Sequence, residues 1–415
     1  MKRAYDVCVV GGGGHIGLPL GLAFAHAGKK VVALDVHQPT IEKIRSKQMP
    51  FAEEGAQELL SNHYGTNFWI TDDKEVIRQS QFIVVVIGTP VDEHLNPQFG
   101  LFKKLFDDLI PYLDPEQHII LRSTVYPGTT EKIHTYLQSK NIPIKVSFCP
   151  ERIAQGKAMT ELYSLPQLVA ACDQAYQDEV EALFACLASE VIPLKPLEAE
   201  LAKLFTNTWR YIQFATANQF YQLAEQNGAD FYTIYNAITH NYPRTKGLPG
   251  AGFAAGPCLF KDTMQLAAFG NNNFFLGHAA MLINEGMPNF IVQELKKSYD
   301  LSTKTVGILG MAFKANNDDL RESLSVKLKK IIEVESYRVL CSDIHAHKDS
   351  FVSTQQLINE SDIIILGTPH AEYAELTFKE GQVVVDMWNF YKKTGDKNEE
   401  NFSHRIGGIH SRVSC

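Results

Sequence analysis

DVCVVGGGGHIGLPLGLAFAHAGKKVVALD, residues 6–35, is the stretch that decides the fold. It opens as an apolar strand and enters a turn in which Gly12, Gly14 and Gly17 keep the spacing G-x-G-x-x-G. A small-residue helix then runs to Gly28, and KKVVALD forms a second strand ending at Asp35. Glycines at this spacing say little alone. Strand, glycine turn, helix, strand and terminal acid within about thirty residues predict a βαβ unit that binds a dinucleotide. Gly12 is expected to permit the tight turn, Gly14 to let backbone approach a pyrophosphate, and Gly17 to let helix and strand pack closely. His15 and Ile16 lie between them, at the helix N-terminus whose N–H groups face the phosphates. Asp35 would accept hydrogen bonds from the adenosine ribose and repel a 2′-phosphate. Val36 and His37 supply no arginine for that phosphate, so NAD is the expected cofactor.

The alternation continues outward. FIVVVIGTP (82–90), HIILRSTVYPGTT (118–130) and IKVSFCPERIAQG (144–156) each read as a buried strand with polar residues past its C-terminal end. Ligands sit there in open parallel sheets, which makes Thr89, Pro90, Thr124 and Glu151 candidates to line the site. From Pro196 the pattern changes to long helices. Residues 197–228 contain no proline or glycine before Gly228, and Lys203, Asn207 and Arg210 fall on one face at i, i+4 and i+7. The alternative for those three is a solvated polar stripe. Aromatic residues around this helix make it a candidate subunit interface. From TVGILG (305–310) a second α/β section begins, without the glycine fingerprint, and it is expected to bind a different ligand. Lys314 and Arg321 near its first strand could grip phosphates.

The expected architecture is therefore α/β: two Rossmann-like doubly wound domains (1–195 and 301–415) joined by a helical domain (196–300) with a long central helix. A chain of 415 residues is too long for one ordinary core. A net charge of −8 argues against nonspecific nucleic-acid binding. Apolar runs break within about ten residues, too short to cross a bilayer. The N-terminus runs directly into a strand, unlike a secretion signal. Seven scattered cysteines without C-x-x-C spacing suggest neither disulfides nor a metal site, and fit a reducing cytoplasm. Cys8 reads as core. Cys258 does not, because PGAGFAAGPCLFKD (249–262) surrounds it with glycine, alanine and proline, too small to pack a thiol.

Taken in order, GGGGHIGLP, PFAEEGAQELL, IGTP, STVYPGTT, CPERIAQG, AELAKLFTNTWR, PGAGFAAGPCLFKD and ILGMAFKANNDDLRES resemble the UDP-glucose/GDP-mannose 6-dehydrogenase family, from residue 6 to near the C-terminus. The resemblance implies NAD, helical and UDP-sugar domains, a homodimer, and oxidation of a sugar's C6 alcohol to a carboxylate with two NAD and one water. It implies Cys258 as the nucleophile that holds the half-oxidised carbon, a task suited to sulfur. It implies Lys203 and Asn207 as stabilisers of oxyanion character at C6, and Asp262 and Glu151 as carboxylates that handle protons or activate water, with Thr124 helping to place that water. Thr124 and Lys261 are implied on the cofactor side. Glu151, Arg152, Lys203, Asn207, Arg244, Gly252, Phe253, Lys314 and Arg321 are implied on the substrate side. The chain departs from the family in three places: GFAAGPC holds one residue more than the usual loop, Gln155 stands where a second glutamate is common, and Leu324 replaces a proline.

The expected substrate is a UDP-N-acetylhexosamine, with UDP-glucose as the alternative and glycan synthesis as the use of either uronic acid. Two rivals remain: a two-electron hydroxyacid dehydrogenase, which leaves the third section unexplained, and a non-catalytic nucleotide-binding regulator, which needs no competent thiol.

Overall fold

The computed structural model describes residues 3–89 and 99–393. The described residues form two compact units, one within residues 3–206 with 268–271 and the other residues 207–267 with 272–393. The divisions fall inside two helices, Pro196–Gln226 and Leu259–Phe269.

The first unit is built on eight strands: β1 (Tyr5–Val10), β2 (Val31–Leu34), β3 (Phe68–Thr71), β4 (Ser80–Val85), β5 (His118–Leu121), β6 (Lys145–Phe148), β7 (Gln167–Ala171) and β8 (Val191–Pro193). Their order is β3-β2-β1-β4-β5-β6-β7-β8, and every neighbouring pair is parallel except β6 with β7. Alternate residues of β1 enter two cores. Val7 and Val9 pack in one with Leu18, Phe24 and Phe68, while Cys8 and Val10 pack in the other with Ile83, Val85 and Phe106. That two-sided burial explains why β1 reads as an unbroken apolar run. Sequence order reverses on either side of β1, between β2 and β4, so a crevice opens beyond the C-terminal ends of β1 and β4.

The second unit holds the helices Phe231–Thr239 and Phe275–Ser298 and all but the last two residues of Leu259–Phe269. It also holds a parallel sheet of β9 (Thr305–Leu309), β10 (Arg338–Ser342), β11 (Ile363–Leu366) and β12 (Val383–Val385), ordered β10-β9-β11-β12. The helix Leu324–Glu335 follows the first turn of this sheet, with Ser323 as its N-cap accepting from the Ser325 amide. Leu324, where the family often has proline, is buried at the first helical position. Among the described residues, no helix is long and apolar enough to cross a membrane, and no cluster of three or more potential metal ligands occurs.

Candidate active site

The glycine turn follows β1 directly. Here the structure redistributes the expected tasks, because the left-handed residue is Gly11, at φ +82°, and not Gly12. A side chain on Gly12 would instead strike Ala33 of β2, its Cβ lying 2.6 Å from the alanine methyl. Gly17 is held by the carbonyl of Gly11, 2.3 Å from where a Cβ would stand, so helix–strand closeness is its constraint as expected. Gly14 meets nothing nearer than 3.6 Å, which leaves its backbone open to a ligand. Asp35 caps β2 and draws the turn together, accepting from the amides of Gly13 (2.8 Å), Val36 (2.8 Å) and His37 (3.0 Å). Three bonds leave a carboxylate with capacity for a ribose hydroxyl. His15 stacks on Phe51 at 4.0 Å between centroids, and its Nδ1 lies 3.0 Å from the Gln155 amide nitrogen. The residue that departs from the family in CPERIAQG is thus tied to the turn. Thr89 lies half-buried beyond β4, and Pro90 falls outside the described residues.

Beyond β5 and β6 the chain brings Thr124, Glu151 and Arg152 to the same end of the sheet. Ser123 Oγ accepts from the Ile87 amide and donates to the Ile87 carbonyl, both at 2.8 Å, binding the ends of β4 and β5. Thr124 is half-buried beside it. Glu151 is buried, and its Oε1 accepts from the amides of Arg152 (2.7 Å) and Ile153 (2.9 Å). Its Oε2 accepts from Arg122, a fully buried residue that the sequence reading did not single out. The Arg152 guanidinium turns to the Pro166 carbonyl.

The helix Pro196–Gln226 separates the supposed polar stripe. Lys203 and Asn207 are buried, one turn apart on a single face, whereas Arg210 is exposed. Burial of a lysine and an asparagine rejects the solvated-stripe reading for those two and keeps it for Arg210. One turn before Lys203, buried Glu200 accepts from the Gly128 amide (2.5 Å), the Thr130 amide (2.8 Å) and the Thr130 hydroxyl (2.6 Å). It thereby serves the N-terminus of the helix Thr129–Ser139 from seventy residues away. Burial raises its carboxyl above the usual carboxylate range, with the Thr130 and Gly128 donors opposing the rise.

In the second unit, Asn207 Nδ2 donates to Asp262 Oδ2 at 2.6 Å, and Lys261 Nζ donates to Asp262 Oδ1 at 2.6 Å. Asp262 is wholly buried, so the Lys261 ammonium supplies the counter-charge such a carboxylate requires. Cys258 is the exposed cysteine of the described chain. Its carbonyl accepts the Asp262 amide at 2.9 Å, which places it at the N-cap of the helix Leu259–Phe269. Burial raises the other described thiols, pushing Cys8, Cys149, Cys172 and Cys341 up to about 12 and Cys186 in the same direction.

The loop before Cys258 is braced, not slack. The Gly252 amide donates to Asn218 Oδ1 at 2.9 Å. Asn218 donates to Asn284 Oδ1 at 2.9 Å, and Asn284 donates to the Tyr211 carbonyl at 3.0 Å. A Cβ on Gly252 would stand 2.1 Å from the Trp388 ring, and one on Gly256 (φ +103°) would stand 2.5 Å from the Phe313 ring. The Gly256 amide donates to the Glu322 carbonyl at 3.1 Å. Phe253 is buried, 6.4 Å from Trp388 between ring centroids. The longer loop with its alanines is thus fitted against side chains that follow β9 and β12.

Of the remaining candidates, Lys314 is half-buried after β9, and Arg321 forks onto Asp319 at 2.6–3.0 Å. Arg244 is exposed, its guanidinium 5.6 Å from the Tyr242 ring centroid. The missing fingerprint of this section has a structural counterpart. Asp343, just past β10 where Asp35 stands past β2, accepts from Met311 (2.6 Å) and Ala312 (2.9 Å) in the turn after β9. It also accepts from the amides of His345 (2.9 Å) and Ala346 (2.8 Å) and meets His370 Nε2 at 3.1 Å. Burial alone would raise its carboxyl, but His370 and the amides outweigh it and hold it well below the usual carboxylate range. The turn amides that hold phosphates in a dinucleotide fold are spent internally here.

Comparison with known proteins agrees with these two differently equipped nucleotide folds. The NAD-binding, central and UDP-binding domains of the UDP-glucose/GDP-mannose dehydrogenase family match residues 5–188, 197–285 and 307–393. The chain belongs to this family. Similar relatives in the UDP-glucose/GDP-mannose dehydrogenase family include the UDP-N-acetyl-D-mannosamine dehydrogenases of Methanocaldococcus jannaschii, 27% identical over 88% of this chain and 86% of that one, and of Pyrococcus horikoshii, 27% identical over 92% and 94%. The solved structure of the P. horikoshii UDP-D-ManNAc dehydrogenase superposes with a TM-score of 0.85 at 26% identity, covering 92% of this chain and 94% of that one. NAD is the cofactor of the family's first domain, and the donor set beyond β1 fits it: an open Gly14 backbone, the N-terminus of the helix Gly17–His26, and Asp35 without a neighbouring arginine. The chain is an NAD-dependent UDP-sugar dehydrogenase.

Proposed function

We propose that this chain oxidises the C6 hydroxyl of a UDP-N-acetylhexosamine to the uronic acid through a covalent intermediate on Cys258. The observation that carries the reading is an exposed thiol at a helix N-cap, four residues from a buried carboxylate held by Asn207 and Lys261. A cysteine placed for packing would be buried, as Cys8 is. NAD, when bound, accepts a hydride from C6 in each of two oxidations.

The remaining work falls to the chain. Lys203 and Asn207 donate hydrogen bonds to the C6 oxygen as negative charge develops there. The Cys258 thiolate adds to the aldehyde carbon, forming a C–S bond and placing an oxyanion on the former carbonyl oxygen. After the second oxidation the carbon is a thioester. Water attacks it, the C–S bond breaks, the thiolate is released, and the sugar leaves as a carboxylate. Asp262 handles protons in these steps, and Glu151 activates the attacking water, with Thr124 helping to position it. Arg152, Arg244, Gly252, Phe253, Lys314 and Arg321 hold the UDP-sugar, while Thr89, Pro90, Thr124 and Lys261 hold the cofactor with the glycine turn.

The choice of an N-acetylhexosamine is supported by the relatives, several of which are UDP-N-acetyl-D-mannosamine dehydrogenases. NADH absorbance with UDP-N-acetylmannosamine, UDP-N-acetylglucosamine, UDP-N-acetylgalactosamine and UDP-glucose tests it. The expected result is fastest turnover of an N-acetylated sugar with two NADH per sugar. Preferred turnover of UDP-glucose overturns the sugar assignment, and one NADH per sugar overturns the reaction.

A homodimer in a reducing cytoplasm, serving glycan synthesis, completes the proposal. On the helix Pro196–Gln226, Phe205 (53% exposed), Trp209 (61% exposed), Phe220 and Leu223 form one apolar stripe at helical spacing. Such a stripe is a natural interface core. Trp209→Glu is expected to convert the dimer to monomer in sedimentation velocity. A wild-type chain that sediments as a monomer at micromolar concentration refutes this part.

A further inference from the structure

Arg122 is among the largest wholly buried side chains in the protein. It directly follows β5, two residues before Thr124, and its guanidinium reaches across the ends of β6 and β7. One terminal nitrogen donates to the Cys149 carbonyl at 3.0 Å. Both donate to Gln167 Oε1 at 3.1 Å, and the second donates to Glu151 Oε2. The guanidinium carbon lies 5.0 Å from the Phe184 ring centroid. The Glu151 amide in turn donates to the Arg122 carbonyl at 3.2 Å.

A guanidinium does not lose its proton in a protein, and burying it without an anion is costly. Its ion-pair partner here is Glu151, so the pair is stable only while Glu151 is a carboxylate. Arg122 and the amides of Arg152 and Ile153 grip both oxygens, which removes the side chain's freedom to swing. A purely structural arginine could be neutralised by any acid. This one fixes the carboxylate that the proposed chemistry uses.

We infer that Arg122 is a positioning residue for the hydrolytic step: it holds Glu151 as an oriented anion that accepts a hydrogen bond from the attacking water. The inference rests on the thioester reading above. In the step, the water oxygen bonds to the thioester carbon and the C–S bond breaks. The sulfur leaves as the thiolate, the carbon becomes a carboxylate, and both water protons pass to solvent. Glu151 aims the water and keeps its pairing with Arg122 throughout.

The test uses the full chain with UDP-N-acetyl-D-mannosamine and NAD, following steady-state NADH, the first-turnover burst and intact mass. Arg122→Met is expected to lower kcat about a hundredfold with both KM values within about threefold. The burst should persist, and an acyl adduct on Cys258 should accumulate. Arg122→Lys keeps the charge but not the fork, and should recover about tenfold of the loss. The double variant Arg122→Met with Glu151→Gln removes both buried charges, and so keeps the experiment usable if the single variant does not fold. It should accumulate the same adduct. Folded variants with unchanged kcat, or with slowed turnover and no adduct, overturn the inference. Failure of all three variants to fold assigns Arg122 to stability and overturns it too. A wild-type enzyme releasing one NADH per sugar, or full turnover by Cys258→Ala, instead overturns the thioester reading, whatever Arg122 does.

Discussion

Cys258→Ala is expected to lose net turnover by roughly four to six orders of magnitude, the scale seen when a covalent nucleophile is removed. Binding of NAD and of the UDP-sugar should stay within about threefold, because backbone and ring contacts at Gly252 and Gly256 hold the loop that carries the thiol. A single turnover of the variant should yield at most one NADH. Iodoacetamide at neutral pH should modify exposed Cys258 ahead of Cys8, Cys149, Cys172 and Cys341, whose thiols burial pushes up to about 12. Peptide mass spectrometry reads the selectivity. A variant that still makes two NADH per sugar at the native rate would remove the thiol from the mechanism.

The second large effect is expected at Lys203. Replacing it with alanine deletes a buried cation from the helix face that also carries Asn207. Loss of one oxyanion donor lowers kcat about a hundred- to a thousandfold. The loss should appear in kcat and kcat/KM alike, since the interaction strengthens as charge develops and contributes little to ground-state binding. Lys203→Arg should recover little, because a planar fork does not reproduce an ammonium at that point. A kcat within about threefold of wild type excludes Lys203 from the chemistry.

How much of this was legible in the sequence follows from which interactions are local. β1, its turn, its helix and Asp35 are neighbours along the chain, and period and glycine spacing reveal them. The division of labour among the glycines was less so. Gly11 takes the left-handed turn, while Gly12 yields to Ala33 on the adjacent strand, a contact twenty-one residues away that spacing does not encode. Helical periodicity puts Lys203, Asn207 and Arg210 on one face and leaves a solvated stripe open; the resemblance implies roles for the first two, and Arg210 is exposed. The difference is what covers each turn of the helix. Arg122 was passed over because a charge after HIIL looks like the point where a strand meets solvent. Its burial is decided by Glu151, Gln167 and Phe184, which are far off in sequence. Glu200 was missed for the same reason, as its partners are Gly128 and Thr130. A carboxylate three residues before a buried lysine was the available hint.

The two glycines flanking the alanine pair have a practical consequence for anyone wishing to redirect this catalyst to another sugar. With an indole pressed on one and a phenyl ring on the other, neither position accepts even a methyl without moving an aromatic neighbour. Mutagenesis libraries aimed at the segment preceding the sulfur would return mostly misfolded clones. Diversification belongs on the surrounding residues, with that segment kept as an invariant template.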